Sequence, residues 1–280
     1  MTKQNNQRIL LWQGKSLLDG ERIIAIATGI DSKSENQKTG KMIQVWILRA
    51  DMHPMLARRL GEDFSVCGNC MHRENSTCYV NLCHGPINVF NAFIDRNYKE
   101  YEPSDIELFR GRDIRIGVYG DPAAVPFEVW ENITSVANKF TGYTHQWNNK
   151  VCDPRLKNIC MASVDTITGY DNEYVKAQKM GWRTFRVRES LDNKLKDNEF
   201  ACPASKEGGK KVQCDRCGAC SGWSSSTKKS VAIVLHSDSE ALGPWRFNRF
   251  MRVMKLRLYK KGWRRNYKSE RKKFKEICKF

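Results

Sequence analysis

The cysteine spacing between residues 202 and 220 constrains this chain more than any other feature of its sequence. The segment CPASKEGGKKVQCDRCGAC places Cys214, Cys217 and Cys220 at C-x2-C-x2-C spacing, with Cys202 upstream and followed directly by Pro203. Three thiolates of one tight loop can then point at one centre while the distant fourth closes it, which is the geometry that a cubane [4Fe–4S] cluster requires. Four thiolates also suit a structural zinc ion, but zinc sites more often pair two separated C-x2-C knuckles. The spacing therefore favours an iron–sulfur cluster and leaves zinc as the alternative.

A second group of soft ligands lies earlier in the chain, in the segment VCGNCMHRENSTCYVNLCHG. Its candidate ligands are Cys67, Cys70, His72, Cys78, Cys83 and His84. So tight a group indicates a metal-binding loop, although a pair of buried thiols and two surface ones is the alternative. If a cluster uses only Cys67, Cys70 and Cys78, one iron stays open to a small molecule. If Cys83 joins them, the site is closed and has a structural or electron-transfer role.

The chain has 280 residues and 11 cysteines, an odd number. Because most of these cysteines fall into two tight groups, they indicate metal ligands in a reducing compartment and not a disulfide framework. No apolar run approaches the roughly 18 residues of a membrane span, and the N-terminus lacks a signal-peptide pattern. We therefore expect a cytoplasmic protein with no membrane span.

The net charge of +17 is concentrated in the C-terminal segment. Residues 246–280 contain 15 Lys and Arg against Glu270 and Glu276, a net charge of +13, which leaves about +4 for the rest of the chain. The stretch from Pro244 to Gly262 has apolar residues at helical spacing, and its continuation interleaves aromatic residues with Lys and Arg. This pattern predicts a basic helix that binds nucleic acid phosphates; an anionic membrane surface or a merely solvated helix are alternatives. The predicted contacts are Arg246, Arg249, Arg252, Lys255, Arg264, Arg265, Lys272 and Lys273.

Hydrophobic periodicity predicts an α/β fold. Two β-branched runs, at 22–30 and 41–48, indicate a strand pair near the N-terminus. Further along, short strands alternate with helices: we predict strands at 114–120, 141–147, 159–164, 182–188 and 230–236, and helices at 127–138 and 171–180. Such alternation implies right-handed crossovers and a parallel sheet that forms a partial (β/α) barrel. The predicted organisation is an N-terminal β segment (1–64), a cluster-binding partial barrel (65–240) and a basic tail (241–280).

Polar side chains follow five of these predicted strands. They are Asp121, His145, Asp165, Glu189 and His236. Because the carboxyl ends of parallel strands meet at one rim, these side chains are expected to converge, and Asp121, His145 and Asp165 are the candidate acid or base groups. The alternative is that the two aspartates cap the helices or turns that follow them.

Several of these motifs together carry a resemblance to a known group of proteins. The set VCGNC, CYVN, RIGVYGDPAAVP, TGYTHQW, CMASVDT, GWRTFRVRE, the ACPAS loop and VAIVLH resembles a family of uncharacterised cysteine-rich proteins from bacteriophages and mobile elements, over residues 65–236. The resemblance implies a phage origin, and with it the cytoplasm of a host cell.

The chain is also similar to the radical S-adenosylmethionine (SAM) enzymes, which have a partial (β/α) barrel, an early three-cysteine cluster loop and often a late auxiliary cluster. Cys78-Tyr79 resembles the cysteine–aromatic pair of that loop, Gly120-Asp121-Pro122 stands where the glycine-rich motif would be, and residues 202–220 would hold the auxiliary cluster. The loop here is C-x2-C-x7-C, whereas that superfamily usually has C-x3-C-x2-C. The similarity implies one or two [4Fe–4S] clusters with SAM as cosubstrate.

Two functional hypotheses follow. In the first, the protein is an enzyme of the radical SAM type or one that modifies nucleic acid. In the second, it binds DNA, RNA or a host protein complex without catalysis, and structural zinc or iron–sulfur sites hold its loops in place.

Overall fold

The computed structural model of the chain describes residues 8–31, 36, 38–74, 78–165, 172–188, 191–192, 194–209 and 211–235. The strands are β1 (Ile9–Lys15), β2 (Arg22–Thr28), β3 (Ile43–Arg49), β4 (Lys99–Glu100), β5 (Asp113–Arg115), β6 (Lys139–Thr141), β7 (Tyr143–Thr144), β8 (Met161–Asp165), β9 (Thr184–Arg188), β10 (Glu199–Ala201) and β11 (Ser230–Val234). The helices are α1 (Pro54–Leu60), α2 (Phe64–Cys67), α3 (Met71–Glu74), α4 (Gly85–Ile94), α5 (Phe127–Val136), α6 (Asn172–Lys179) and α7 (Cys214–Cys217). Short 3-10 helices form at Pro103–Leu108, Pro122–Ala124, Pro154–Asn158 and Gly222–Ser224. The predicted α/β class is confirmed.

One sheet contains the N-terminal strands in the order β4-β1-β2-β3-β5-β6. The predicted strand pair is confirmed, since β2 and β3 pair antiparallel with Ile26 opposite Trp46. Most side chains of β2 are buried, which the uninterrupted run of Ile and Ala allows because both faces of the strand are covered. Beyond β3, the sheet continues with the parallel strands β5 and β6.

The other sheet has the order β10-β11-β9-β8-β7 and is parallel throughout. All five residues of β8 are buried, as expected for a parallel strand between helices and loops. The strands predicted at 159–164, 182–188 and 230–236 correspond to β8, β9 and β11.

The two sheets meet at residues 139–144. β6 pairs with β5 in one sheet, and β7, which starts after one intervening residue, pairs with β8 in the other. Gly142 lies between them, and its carbonyl accepts a hydrogen bond from Met161 N of β8 (3.0 Å). A Cβ atom on Gly142 would lie 2.5 Å from Cys160 Sγ, so the close approach requires glycine.

The strand predicted at 114–120 is wrong in its second half. β5 ends at Arg115, and the chain then turns through Gly117 and Gly120, which have φ of 64° and 88°. A side chain at Gly120 would also meet Ile47 Cβ at 2.6 Å. The β-branched residues that suggested a longer strand are therefore outweighed by two glycines that only a turn explains.

Helices α1, α2 and α4 pack on β3. Within the part of the chain that the structure describes, no helix combines the length and the apolar character needed to cross a membrane. The basic helix predicted after Pro244, and the side chains of Glu189 and His236, lie outside the described residues.

Candidate functional site

The first cysteine loop follows α2, and a buried polar contact fixes this helix to β3. The guanidinium of Arg49, which is 5% exposed, donates a hydrogen bond to Ser65 Oγ (2.9 Å) inside α2. Cys67 ends the helix, and Gly68 turns the chain with φ of 55°. The loop therefore begins at a helix that is fixed to β3, and this attachment fixes the position of Cys67.

Three thiols of this loop line one cavity of about 150 Å³, and they belong to Cys67, Cys70 and Cys78. Burial raises the pKa of Cys67 and of Cys78, and the neighbouring thiols add to this effect by mutual repulsion of their charged forms. Such thiols stay protonated at neutral pH unless a metal ion takes the place of their protons.

Cys83 is separated from these three. It lies just before α4, half-buried against the hydrophobic core, and it is not among the residues that line the cavity. Its backbone N–H donates to Asn81 Oδ1 (3.0 Å) in the turn that precedes the helix. The sequence did not decide whether Cys83 lies with the other three cysteines, because spacing alone does not tell which thiols share a cavity.

The second cysteine loop brings four further thiols to the same cavity: Cys202, Cys214, Cys217 and Cys220. Burial raises the pKa of Cys202, Cys214 and Cys220, and the charged forms of the neighbouring thiols raise it further. All four predicted ligands thus line this cavity, and their binding of one cluster stays a prediction. All ten cysteines in the described part of the chain carry free thiols.

Backbone hydrogen bonds attach this loop to three separate parts of the fold. Cys202 N donates to Ala232 O of β11 (2.8 Å), and Cys214 N donates to Lys38 O (2.9 Å). Gly142 N, at the junction of the sheets, donates to Cys220 O (3.2 Å). These main-chain hydrogen bonds therefore hold the loop on the rest of the fold without the help of a metal.

Arg183 binds main-chain carbonyls at the end of the second cysteine loop and just beyond it. Its side chain is 1% exposed, and its guanidinium donates to the carbonyls of Ala219, Gly222 and Lys229. Sequence reasoning placed Arg183 in a strand and missed this role. The only available signal was an arginine inside the strand predicted at 182–188.

A cation and two phenols lie between the two cysteine loops. Arg115, the last residue of β5, donates a hydrogen bond to the Tyr79 hydroxyl. Burial lowers the pKa of Arg115, but the nearby negative forms of Tyr79, Tyr143, Cys214 and Cys220 outweigh it, so that the pKa is raised overall. Arg115 thus lies next to the second set of thiols and stays charged.

Tyr119 contributes a buried hydroxyl to the same cavity. The residue is 4% exposed, and its Oη has no hydrogen-bond partner among the described residues. Burial raises its pKa, and the charged forms of Cys67 and Cys78 raise it further. Buried hydroxyls are nearly always hydrogen-bonded, and Tyr119 is one of the residues that line the cavity, so its hydroxyl is a candidate donor to a bound group.

Asp121, a predicted acid or base, accepts three hydrogen bonds. Oδ1 accepts from Ala123 N (3.0 Å) and from Thr144 Oγ1 (2.7 Å), and Oδ2 accepts from His145 N (2.7 Å). Burial raises the pKa of this carboxyl group. The geometry matches the capping alternative, and a chemical role for Asp121 stays a prediction.

The other two predicted groups, His145 and Asp165, are in contact. His145 Nε2 lies 3.4 Å from Asp165 Oδ2, and His72 Nε2 lies 2.8 Å from Asp165 Oδ1. Cys70 Sγ lies 3.6 Å from His145 Nε2. Burial acts to raise the pKa of Asp165, but the two imidazoles hold it below its usual value. The sequence made His72 a candidate ligand of the first cysteine loop, but its contact with Asp165 was not predicted.

A group of two imidazoles and one carboxylate, from His72, His145 and Asp165, therefore adjoins a largely apolar cavity. Seven thiols, the cations Lys38 and Arg115, and Tyr119 with its unpaired hydroxyl line this cavity. Comparison with protein-family models, with curated proteins and with solved structures found no match to this chain.

Proposed function

We propose that this protein is an iron–sulfur enzyme whose reaction centre is the cavity shared by the two cysteine loops. The observation that carries the proposal is that seven cysteines, three from the first loop and four from the second, line one cavity. Four thiolates complete the coordination of a cubane cluster, whereas three leave one iron without a protein ligand. The proposed enzyme has a closed cluster at Cys202, Cys214, Cys217 and Cys220 and an open one at Cys67, Cys70 and Cys78.

The support for clusters over zinc is the C-x2-C-x2-C spacing of Cys214, Cys217 and Cys220, and the arrangement of the thiols is compatible with clusters. A tetrahedral zinc ion with Zn–S bonds of about 2.3 Å requires its sulfur ligands to lie about 3.8 Å apart. In the described ranges, no three cysteine sulfurs lie within 4.8 Å of one another. The ligands of a cubane bind different irons and are therefore farther apart, which is compatible with this arrangement.

The proposed cosubstrate of the open cluster is SAM. The proposed fold around this site is a partial (β/α) barrel. Parallel pairs join β3, β5 and β6 in one sheet and β7, β8, β9 and β11 in the other. Because the two sheets adjoin at Gly142, this arrangement supports such a barrel. The three-cysteine loop follows β3, and the Gly117–Gly120 turn follows β5, so both approach the cavity from the carboxyl ends of neighbouring strands. When bound, a cluster with SAM supplies one-electron chemistry. The residues of this chain would position the cosubstrate, with the unpaired Tyr119 hydroxyl as a donor.

The proposed second activity is nucleic-acid binding by the basic tail. Its support is the net charge of +13 in residues 246–280, against about +4 in the rest of the chain. Deletion of residues 246–280 is expected to remove most salt-sensitive binding of single- and double-stranded DNA and RNA, measured by fluorescence anisotropy at several salt concentrations. Undiminished binding would show that residues outside 246–280 bind the nucleic acid. We also propose that the protein is encoded by a phage, that it acts in the cytoplasm of the host cell, and that a host protein complex is a further partner.

The experiment that tests the enzyme proposal is spectroscopic. Protein purified without oxygen is analysed for iron and acid-labile sulfide, and its reduced EPR spectrum is recorded before and after SAM is added. Iron and sulfide in equal amounts, with a signal that changes on addition of SAM, are expected. Clusters with an unresponsive signal favour the non-enzymatic alternative, and zinc without sulfide favours structural zinc sites.

A further inference from the structure

Two imidazoles and one carboxylate from three separate elements converge beside the cysteine cavity. His72 belongs to α3, His145 follows β7, and Asp165 ends β8. Their donor atoms all lie within 4.8 Å of one another. His72 is 8% exposed and Asp165 is 4% exposed, while the side chain of His145 is 22% exposed.

The distances suit the coordination of a single ion. Metal–nitrogen and metal–oxygen bonds of about 2.0–2.2 Å place neighbouring tetrahedral ligands about 3.3 Å apart. Both histidines present Nε2 to the same carboxylate, at 2.8 Å and 3.4 Å. Each oxygen of Asp165 faces one imidazole, so one ion between the three groups can be bound by small movements of the side chains.

One side of this group is open to a second, polar pocket of about 450 Å³. His145 and Asp165 line it, together with Gln146, Asn149 and Glu173. On the other side, His72 and His145 line the cysteine cavity. An ion held by these three ligands would border both spaces, and water or an oxygen atom of a substrate could reach it from the polar side. Three protein ligands and one exchangeable ligand are typical of catalytic zinc.

The position of His145 is fixed independently of any ion. Its backbone N–H donates to Asp121 Oδ2 (2.7 Å), and Asp121 is in turn held by Thr144 Oγ1 and Ala123 N. This contact gives Asp121 a positioning role. The hydrogen bond fixes the main chain of His145, and with it the point from which the imidazole ring enters the site.

We propose that His72, His145 and Asp165 bind one divalent transition-metal ion, with an exchangeable oxygen ligand from the polar pocket. The two-imidazole, one-carboxylate donor set suits Zn²⁺ and Fe²⁺. Cys70 borders the site, but it completes the three-thiolate set of the first loop, and we assign it to that cluster. The ion site uses none of the seven cavity cysteines and stands independently of the proposed clusters.

The test uses the full-length protein with its clusters reconstituted, and Zn²⁺ as the probe in competition with a chromophoric chelator. One tightly bound Zn²⁺ per chain is expected in addition to the iron. Asp165→Asn and His72→Gln are each expected to weaken Zn²⁺ binding by more than about 100-fold, with iron and sulfide content unchanged. Glu173→Gln, which removes a carboxylate from the same pocket but not from the three ligands, is the matched control and should bind Zn²⁺ as the wild type does.

Two further variants separate this site from the clusters. Cys70→Ser should lose iron and keep the Zn²⁺, and Cys217→Ser should do the same at the second loop. Loss of tight Zn²⁺ binding in Cys70→Ser, or undiminished binding in both Asp165→Asn and His72→Gln, would overturn the assignment. Absence of iron and sulfide from the wild type, with one Zn²⁺ still bound, would overturn the cluster proposal and leave this site intact. Circular dichroism of each variant identifies any loss of fold.

Discussion

The guanidinium of Arg115 donates a hydrogen bond to the hydroxyl of Tyr79 and lies 5.7 Å from the centre of its ring. Tyr79 follows Cys78 of the first loop, while Arg115 is close enough to Cys214 and Cys220 of the second loop for their charged forms to raise its pKa. One cation therefore links the two sets of thiols. A positive charge beside a cluster favours the reduced, more negative state.

Replacement of Arg115 by Gln is expected to lower the reduction potential of the cluster at the second loop, by on the order of tens of millivolts. The physical reason is the loss of a positive charge from a cavity with little polar lining. Spectroelectrochemical titration under anaerobic conditions measures the potential. Arg115→Lys keeps the charge and serves as the control, and an equal shift in both variants would show that the charge is not the cause.

Replacement of Cys217 by Ser should remove one cluster, since a serine cannot replace a thiolate ligand at full affinity. Cys83→Ser is the matched control, because Cys83 does not line the cavity. Iron and sulfide analysis should show a loss of about one cluster in the first variant and none in the second. A loss in Cys83→Ser would instead indicate that Cys83 joins the first site when metal is bound.

Replacement of Tyr119 by Phe removes a buried hydroxyl that has no partner among the described residues. The free energy of unfolding without ligand should stay the same or rise by about 1 kcal/mol, since no hydrogen bond is lost. The EPR response to SAM should weaken. Denaturant unfolding and EPR titration measure the two effects, and a clearly less stable variant would reveal that the hydroxyl has a partner in the protein.

Replacement of Gly142 by Ala puts a Cβ atom 2.5 Å from Cys160 Sγ. Overpacking of this kind typically costs about 1–3 kcal/mol, and here it would also disturb the hydrogen bond from Gly142 N to Cys220 O. The double variant with Cys160→Ala should recover most of the stability, because the clashing sulfur is gone. Denaturant unfolding of the single and double variants tests this, and absence of recovery would assign the cost to the backbone.

The pH dependence of stability should carry a contribution from His53, which caps α1 and is 2% exposed. Burial lowers its pKa from 6.5 to about 3. Between these values the unfolded chain binds a proton that the folded protein does not, so stability is lost as the pH falls below 6.5. The expected loss is about 1.4 kcal/mol per pH unit.

His53→Asn keeps a capping side chain but does not titrate. Its free energy of unfolding should therefore fall less than that of the wild type between pH 7.5 and pH 5.5, by about 1.4 kcal/mol. Chemical denaturation at the two pH values measures the difference. Equal pH dependence of both proteins would show that His53 is protonated in the folded state.

Local sequence patterns predicted several of the strands and helices, because these elements depend on short spacings. That Cys202, Cys214, Cys217 and Cys220 bind one cluster stays a prediction. The strand pair at β2 and β3 follows from two β-branched runs, and Cys214, Cys217 and Cys220 share one turn of chain. The contact of His72 with Asp165 joins residues 93 positions apart, and no local pattern contains it. The same holds for Arg115 and Arg183, which look like ordinary strand residues until the loops that contact them are folded.

His145 and Ser163 each line both the cavity with the thiols and the polar pocket. Two side chains thus belong at once to an apolar chamber and to a polar one. An electron or proton exchanged between the two chambers at this point would pass through or beside these side chains.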